Sequence, residues 1–303
     1  MSALVSVIMS TYNESGDYIR ASASSVLEQT LSDLELIIVI DNPENEAAVK
    51  TVNAFAADDS RVIVLRNERN MGLVYSLNRA ISAAAGPVLA RMDADDIALP
   101  QRLEKQLAYM EKEHLDIVGA CTQYIDENGS RTDGCHPYRT EEQLKKLLQF
   151  ENGLCHPTWM VRREVYEQLG GYRDIDSCED YDFLLRAIEK GFKLGMVDET
   201  LLLYRYNKNG ISQSREFRQF LAFSYLSAHR AHPSEVSEED VKNYVNQNMT
   251  PSNQGNYARA KELFMQSKQQ KSSVKKASCL LHAACASRFF GKRLLNSLRR
   301  REI

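Results

Sequence analysis

The sequence lacks several features that would each have named a class. No run approaches the ~20 apolar residues needed to cross a bilayer. Met1 to Val7 has neither a basic n-region nor a long apolar h-region, so no secretory signal is expected and the protein reads as cytoplasmic. Neither G-x-G-x-x-G nor G-x-x-x-x-G-K-S/T occurs, which argues against a dinucleotide-binding oxidoreductase and a P-loop nucleotidase. None of the six cysteines belongs to a C-x-x-C pair, so free thiols are expected rather than a redox or zinc motif. Tryptophan occurs once, at Trp159.

What is present suits a globular protein with a sizeable core. The 303 residues are 43% hydrophobic and 26% charged. The net charge of -3 hides an asymmetry, because ten Lys/Arg and one acid fall between Ser267 and Ile303. The rest carries 28 basic and 40 acidic residues, a net of -12. A basic tail on an acidic body points to an anionic surface as partner.

The first hundred residues alternate between two periodicities. Val5 to Ser10, Leu34 to Ile40, Arg61 to Leu65 and Val88 to Met92 are short apolar runs that read as buried strands. Between them, Ser15 to Gln29, Asn45 to Ala57 and Leu73 to Ala85 read as helices, and Pro100 opens another to His114. This order implies a parallel sheet with right-handed crossovers, whose ligands bind beyond the carboxyl ends of the strands. Those ends carry Thr11, Tyr12, Asn13 and Glu14 after the first strand and Asp41 after the second. Asp93-Ala94-Asp95-Asp96 follows the fourth, so all three groups should face one crevice.

Further on, Asp116 to Ile125 reads as a strand and Glu127 to Ser130 as a hairpin turn. Thr140 to Phe150 reads as a helix capped by Thr140, Thr158 to Val161 as a strand and Glu179 to Lys190 as a helix. Phe192 to Tyr206 reads as extended chain. Beyond Gly210 the pattern turns helical and polar, which sets the expected division at 1–210 and 211–303.

Three constellations carry chemistry. Carboxylates two apart in an extended turn, as in Asp93-x-Asp95, aim the same way, and such oxygen ligands suit Mn²⁺ or Mg²⁺ completed by substrate phosphates. Glu179-Asp180 is a carboxylate pair at a helix start, one of which can serve as general base. Cys155-His156-Pro157-Thr158-Trp159 places a histidine three residues from an aromatic face suited to a sugar ring.

With these residues laid out, the chain resembles family 2 glycosyltransferases. The matching pieces, in order, are Ser6 to Glu14, Leu36 to Asp41, Asn70 to Gly72 with Asn78, Asp93 to Asp96, Gly170 to Tyr172, Glu179-Asp180 and Tyr204-Arg205. The resemblance implies an α/β fold of the GT-A type. That is a Rossmann-like, mostly parallel central sheet flanked by helices, here with a C-terminal helical extension. It implies an inverting transferase that moves a sugar from a nucleotide-diphosphate sugar, typically a UDP-sugar. The acceptor would be a hydroxyl of a glycan or lipid-linked glycan in cell-surface polysaccharide synthesis.

The resemblance also implies residue roles. Thr11, Tyr12, Asn13, Glu14, Asn70 and Ala94 line the nucleotide-sugar pocket, and Asp41 holds the base. Asp93 contacts the ribose or supports the metal, Asp95 ligates Mn²⁺ or Mg²⁺, and Asp180 is the catalytic base aided by Glu179. His156, Trp159 and Arg205 touch phosphate or sugar. Two departures stand out. Asp41-Asn42-Pro43-Glu44 replaces the usual Asp-Asp-Gly-Ser, and Asn207 stands where relatives of the Tyr-Arg-x-His type place a histidine. They keep open a second reading, a non-catalytic nucleotide-sugar-binding scaffold or partner subunit. Residues 275–301 mix leucine and phenylalanine with cations, a pattern that suits peripheral contact with an anionic membrane face.

Overall fold

The computed structural model describes residues 3–175, 177–206, 215–270 and 272–300. Asn207 and the division near residue 210 lie outside them. Among the described residues, nine strands form one sheet. The first four are β1 (Val5–Thr11), β2 (Leu34–Ile40), β3 (Val62–Arg66) and β4 (Val88–Asp93). They are the four apolar runs of the sequence. The others are β5 (Ile97–Ala98), β6 (Ile117–Ile125), β7 (Arg131–His136), β8 (Met160–Arg162) and β9 (Leu194–Arg205). The order is β3-β2-β1-β4-β8-β6-β9-β5, with β7 paired to β6. β1 to β4 are mutually parallel, and β6 is parallel to β9. β5, β7 and β8 run against their neighbours.

The chain steps outward from β1 to β3, then returns to place β4 on the other side of β1. That reversal creates a crevice beyond the carboxyl ends of β1 and β4. Register sets what lies there. Ser10 is opposite Asp93, Thr11 is opposite Ile40, and the Asp41 N–H donates to the Thr11 carbonyl at 2.8 Å. Thr11, Asp41 and Asp93 therefore end at one level, as strand periodicity predicts.

Alternate residues of β2 show why the runs are continuously apolar. Leu36, Ile38 and Ile40 join one apolar cluster, whereas Ile37 and Val39 join another. The first cluster takes in residues of α1 (Gly16–Leu27), α2 (Glu46–Asp58) and α4 (Arg102–Lys112). The second takes in α3 (Leu73–Ala83), α5 (Glu141–Leu147), α6 (Arg163–Leu169) and α7 (Glu179–Glu189). It continues into α8 (Glu216–Ala228), α9 (Glu238–Asn248), α10 (Pro251–Gln269), α11 (Ser273–Ala286) and α12 (Arg288–Arg300). Helix starts follow local chemistry. Ser15 and Asn45 accept from Tyr18 and Ala48 N–H, and Thr140 forms a capping box with Gln143.

Three elements were not legible in the sequence. β5 has two residues, α6 has seven, and β7 is a polar, largely exposed strand recruited by the hairpin turn at Gly129. The strand expected at Thr158 begins two residues later, because His156–Thr158 form a 3₁₀ turn around Pro157.

Candidate functional site

The turn after β4 is built to hold carboxylates close together. Oxygens of Asp93, Asp95 and Asp96 lie within 4.8 Å of one another. Ser22 of α1 donates to the Asp93 carbonyl at 2.8 Å, which fixes the start of the turn. The Arg205 N–H, at the end of β9, donates to Asp96 Oδ1 at 2.7 Å. The Arg205 side chain closes the turn from outside. Its Nε donates to the Asp95 carbonyl at 2.8 Å, and its Nη1 donates to the Asp126 and Glu127 carbonyls. Its guanidinium lies 4.3 Å from the centre of the Tyr18 ring. Arg205 thus braces the hairpin against the acidic turn, a use the sequence did not reveal.

These acids are difficult to ionise together. Burial, with Asp93 and Glu14 nearby, pushes the Asp95 carboxyl up to about 7. Burial, with Asp95 and Asp93, holds Asp96 well above the usual carboxylate range, and its Oδ2 is buried without a hydrogen-bond partner. An all-oxygen set under mutual repulsion fits a hard divalent cation. Asp95, the Asp93 oxygen not used by Arg91 and Asp96 Oδ2 could hold one, Asp96 Oδ1 being taken by Arg205.

Arg91 was not singled out by its sequence, yet it is the cation at the centre. It sits two residues before Asp93 on β4, which puts both side chains on one face, and it pairs with Asp93. Its Nε and Nη1 are buried without partners. Burial works against its charge, but Asp93, Tyr172 and Asp96 hold its pKa above the ordinary arginine value. Arg91 also favours the ionised forms of Glu179 and Asp180, an influence smaller than that of their burial.

Helix α7 begins with three acids in different states. Asp182 is fully buried and ion-paired to Arg173 and Arg186, a structural assignment. Asp180 accepts from Asn152 Nδ2 at 2.6 Å and from Tyr181 N–H at 2.7 Å, yet burial still raises its carboxyl above the usual value. Burial and the charge of Asp180 push Glu179 up to about 7. The helix dipole favours their ionised forms and the dry surroundings oppose them. Asp93 adds a smaller upward push to Glu179. The segment before α7 is placed by a reciprocal pair. Asn78 Nδ2 donates to the Tyr172 carbonyl and Tyr172 N–H donates to Asn78 Oδ1, at 2.8 and 2.9 Å.

The loop after β1 folds back on Glu14. Thr11 Oγ1 and Tyr12 N–H donate to its carboxylate at 2.8 and 2.6 Å. Asn13 accepts from Asn42, a contact between this loop and the departing Asn42-Pro43 segment, while Tyr12 is exposed. Asp41 is buried and accepts from Asn67, Met71 N–H and Gly72 N–H, so it caps the chain entering α3. Asn70 also accepts from Gly72 N–H, at 3.0 Å. Gly72 holds φ +90°, a left-handed value that favours glycine there.

Two expected contacts lie elsewhere. Trp159 is fully buried and donates to the Leu154 carbonyl, so its ring belongs to the core and offers no face to a sugar. His156 packs on Trp159 and meets the Tyr172 hydroxyl at 2.9 Å. Burial and the Arg91 charge hold its pKa well below the usual value, so it is neutral. Both side chains turn into the aromatic cluster of Tyr166, Tyr172 and Phe183, because Pro157 starts a tight turn that β8 then draws into the sheet. Ala94 is buried as well.

The family model described as Glycosyl transferase family 2 matches residues 6–170. An uncharacterized glycosyltransferase of Methanocaldococcus jannaschii is 38% identical over 226 residues, covering 74% of this chain and 78% of that protein. The O-antigen biosynthesis glycosyltransferase WbnJ of Escherichia coli is 33% identical, covering 70% and 83%. In fold the chain is similar to S. aureus TarS 1-349 in complex with UDP-GlcNAc. That likeness has a TM-score of 0.62 at 17% identity and covers 94% of this chain and 80% of TarS 1-349. It is also similar to the mannosyltransferase PcManGT from Pyrobaculum calidifontis in complex with GDP-Man and Mn²⁺. There the TM-score is 0.59 at 14% identity, covering 99% and 85%. At those identities the structures speak for the GT-A fold alone.

Proposed function

The chain belongs to glycosyl transferase family 2, and from that premise we propose that it is an inverting enzyme using a nucleoside-diphosphate sugar, a UDP-sugar, as donor. The acceptor is a hydroxyl of a glycan or lipid-linked glycan in cell-surface polysaccharide synthesis. The relatives named for O-antigen and amylovoran biosynthesis support the polysaccharide setting. One observation carries the reading. A crowded carboxylate turn stands at the switch point of the sheet, backed by the buried guanidinium of Arg91 paired with Asp93.

In this reading the loop Thr11 to Glu14, with Asn70 and Asp41, borders the nucleoside. Asp95 and Asp93 would hold Mn²⁺ or Mg²⁺, which when bound would supply positive charge for the donor diphosphate. Asp180 takes the proton of the acceptor hydroxyl. That oxygen's electron pair forms the new bond to the anomeric carbon. The bond from that carbon to the diphosphate breaks, and its electrons leave with the nucleoside diphosphate. A single displacement inverts the anomeric centre. Glu179, its carboxyl pushed up to about 7, keeps its own proton below that pH and leaves the pair's negative charge on Asp180, and Arg91 orients Asp93 from inside the protein.

Among the described residues no helix is long and apolar enough to cross a membrane. Of the basic C-terminal stretch, Phe289 and Phe290 pack inward, while Leu281 and Leu295 are exposed. Those two leucines are the groups to reach a membrane face. Pelleting with anionic vesicles should be lost in the Leu281→Asn, Leu295→Asn double variant, and equal pelleting with wild type overturns that contact.

The test of the main reading is a thermal-shift panel of UDP-, GDP- and dTDP-sugars with and without Mn²⁺. Donor at ~100 times its dissociation constant should stabilise the fold by about 2.7 kcal/mol. Turnover then follows from release of the nucleoside diphosphate, and the anomer of the product from NMR. Binding without any turnover would favour the scaffold reading. A retained anomeric configuration would overturn the single displacement.

A further inference from the structure

The acidic turn and the α7 start leave a neighbouring cavity without a role. It measures about 660 Å³, inside the roughly 300–1,000 Å³ range of small-molecule sites. Asp180 lines it, whereas Asp93, Asp95 and Asp96 do not, so it opens on the base and not on the carboxylate turn. Much of its wall comes from α8, α10 and α12, beyond the segment matched by the family model.

That wall has an uneven charge. Glu216 of α8 is ion-paired to both Lys261 of α10 and Arg293 of α12, one carboxylate against two cations. Lys268 adds a third, its ammonium 4.9 Å from the centre of the Phe264 ring. The lining also carries aromatic rings, with Phe223 tilted against Tyr181, their ring centres 4.5 Å apart. The cavity therefore sets Asp180 and Glu151 on the body side against Lys261, Lys268 and Arg293 on the helical wall, where Glu216 is the one acid among the described residues, with aromatic rings in the lining between them in sequence.

We propose that this cavity is the acceptor subsite and that it selects an acceptor whose reactive part is joined to an apolar body and an anionic group, a phosphate or carboxylate. The hydroxyl lies at Asp180, the apolar part on the phenylalanines, and the anion at Lys268 and Arg293. The proposal rests on Asp180 being the base. The specific addition is that the C-terminal helices choose the acceptor by its charge.

The experiment is calorimetric titration of the full chain, with Mn²⁺ and saturating UDP present so that a phosphate-bearing probe cannot report on the donor site. The probes are octyl phosphate, octanoate, inorganic phosphate and the neutral octyl β-glucoside. Octyl phosphate should bind about tenfold more tightly than octyl β-glucoside and than inorganic phosphate, the size of one charge-assisted contact or of a few buried methylenes. Lys268→Gln, at an exposed position, should remove a several-fold share of that preference, and Arg293→Gln about tenfold. Octanoate tells the two anions apart, since binding equal to octyl phosphate identifies a carboxylate and weaker binding a phosphate. Octyl phosphate binding no better than octyl β-glucoside overturns the proposal. So does a preference that both variants retain. Equal binding of inorganic and octyl phosphate removes the apolar half of the claim. UDP that fails to bind in the same cell defeats the donor reading instead, and the two failures are separable.

Discussion

The sheet body and the C-terminal helices solve the problem of buried charge in opposite ways. In the body, Asp93, Asp95 and Asp96 crowd one turn, Glu179 and Asp180 crowd one helix start, and several are pushed toward their neutral forms. In the helices, Glu216 is outnumbered by Lys261 and Arg293, which hold its carboxyl below the usual range although burial opposes this. Excess acid stores repulsion that a cation can relieve. Excess base on a single carboxylate leaves cations over. The first arrangement suits a site that gathers metal and diphosphate, the second a surface that selects an anion. An apolar cluster shared by Ile8, Val39, Leu221, Tyr257 and Phe289 joins the two.

The largest effect that separates them should come from Asp180. Asp180→Asn keeps the size of the side chain and one of the two hydrogen bonds it accepts, from Asn152 Nδ2 or Tyr181 N–H, and removes the base. Nucleoside diphosphate release in the presence of acceptor should fall by about 10²–10⁴, while the variant stays folded by circular dichroism. A fall of less than tenfold would move the base elsewhere.

Next in size is the response to pH. Glu179 and Asp180 titrate as a coupled pair, with the Glu179 carboxyl pushed up to about 7. Asp180 is the base, and burial raises its carboxyl above the usual value, so the rate should fall as pH drops into that raised range, by about tenfold per unit once the carboxyl takes its proton. Stability moves the other way. Glu179 keeps its proton in the fold up to about 7 but loses it near 4.5 when unfolded. Between those values the folded state holds more protons, so stability falls as pH rises through that window. A flat rate profile from pH 5.5 to 8 would remove the α7 pair from the chemistry.

How much of this was legible depended on how local the cause was. The four leading strands and the level of Thr11, Asp41 and Asp93 follow from apolar runs and period-two geometry, which neighbours in sequence suffice to set. Arg91 carries no such signal beyond its two-residue spacing from Asp93, because its importance comes from Glu179 and Asp180 arriving across the sheet. Asn152 was missed for the same reason, being 28 residues from the carboxylate it holds. Trp159 and His156 were misplaced because residue type announces chemistry but not the face on which a 3₁₀ turn will set it. Glu216 gave no sign in the sequence that two later helices would each bring it a cation.

A third change tests how firmly the body is set. Gly171 holds φ +79°, and a Cβ there would stand 2.5 Å from Asn78 Oδ1. Gly171→Ala should cost roughly 2 kcal/mol, from the left-handed backbone and from disturbing the Asn78–Tyr172 pair that precedes α7. Denaturant unfolding reads this directly. A neutral result would mean that the segment yields and that α7 is not placed by it.

The smallest effect belongs to the helices. Glu216→Gln removes both ion pairs, but Lys261 and Arg293 are each more than 40% exposed in their side chains, so water screens most of the attraction. The expected loss is about 1 kcal/mol, half that of Gly171→Ala. Its place matters more than its size. α12 is held by Phe289 against Phe217, by Phe290 against Tyr257 and Phe264, and by Arg293. With one of those anchors weakened, hydrogen exchange should quicken in α12 and in the facing part of α10, while β1, β2 and β4 keep their protection. Equal quickening throughout would mean that the shared apolar cluster makes sheet and helices open as one unit. The contrast between a metal-gathering body and an anion-selecting cover would then be one of charge alone.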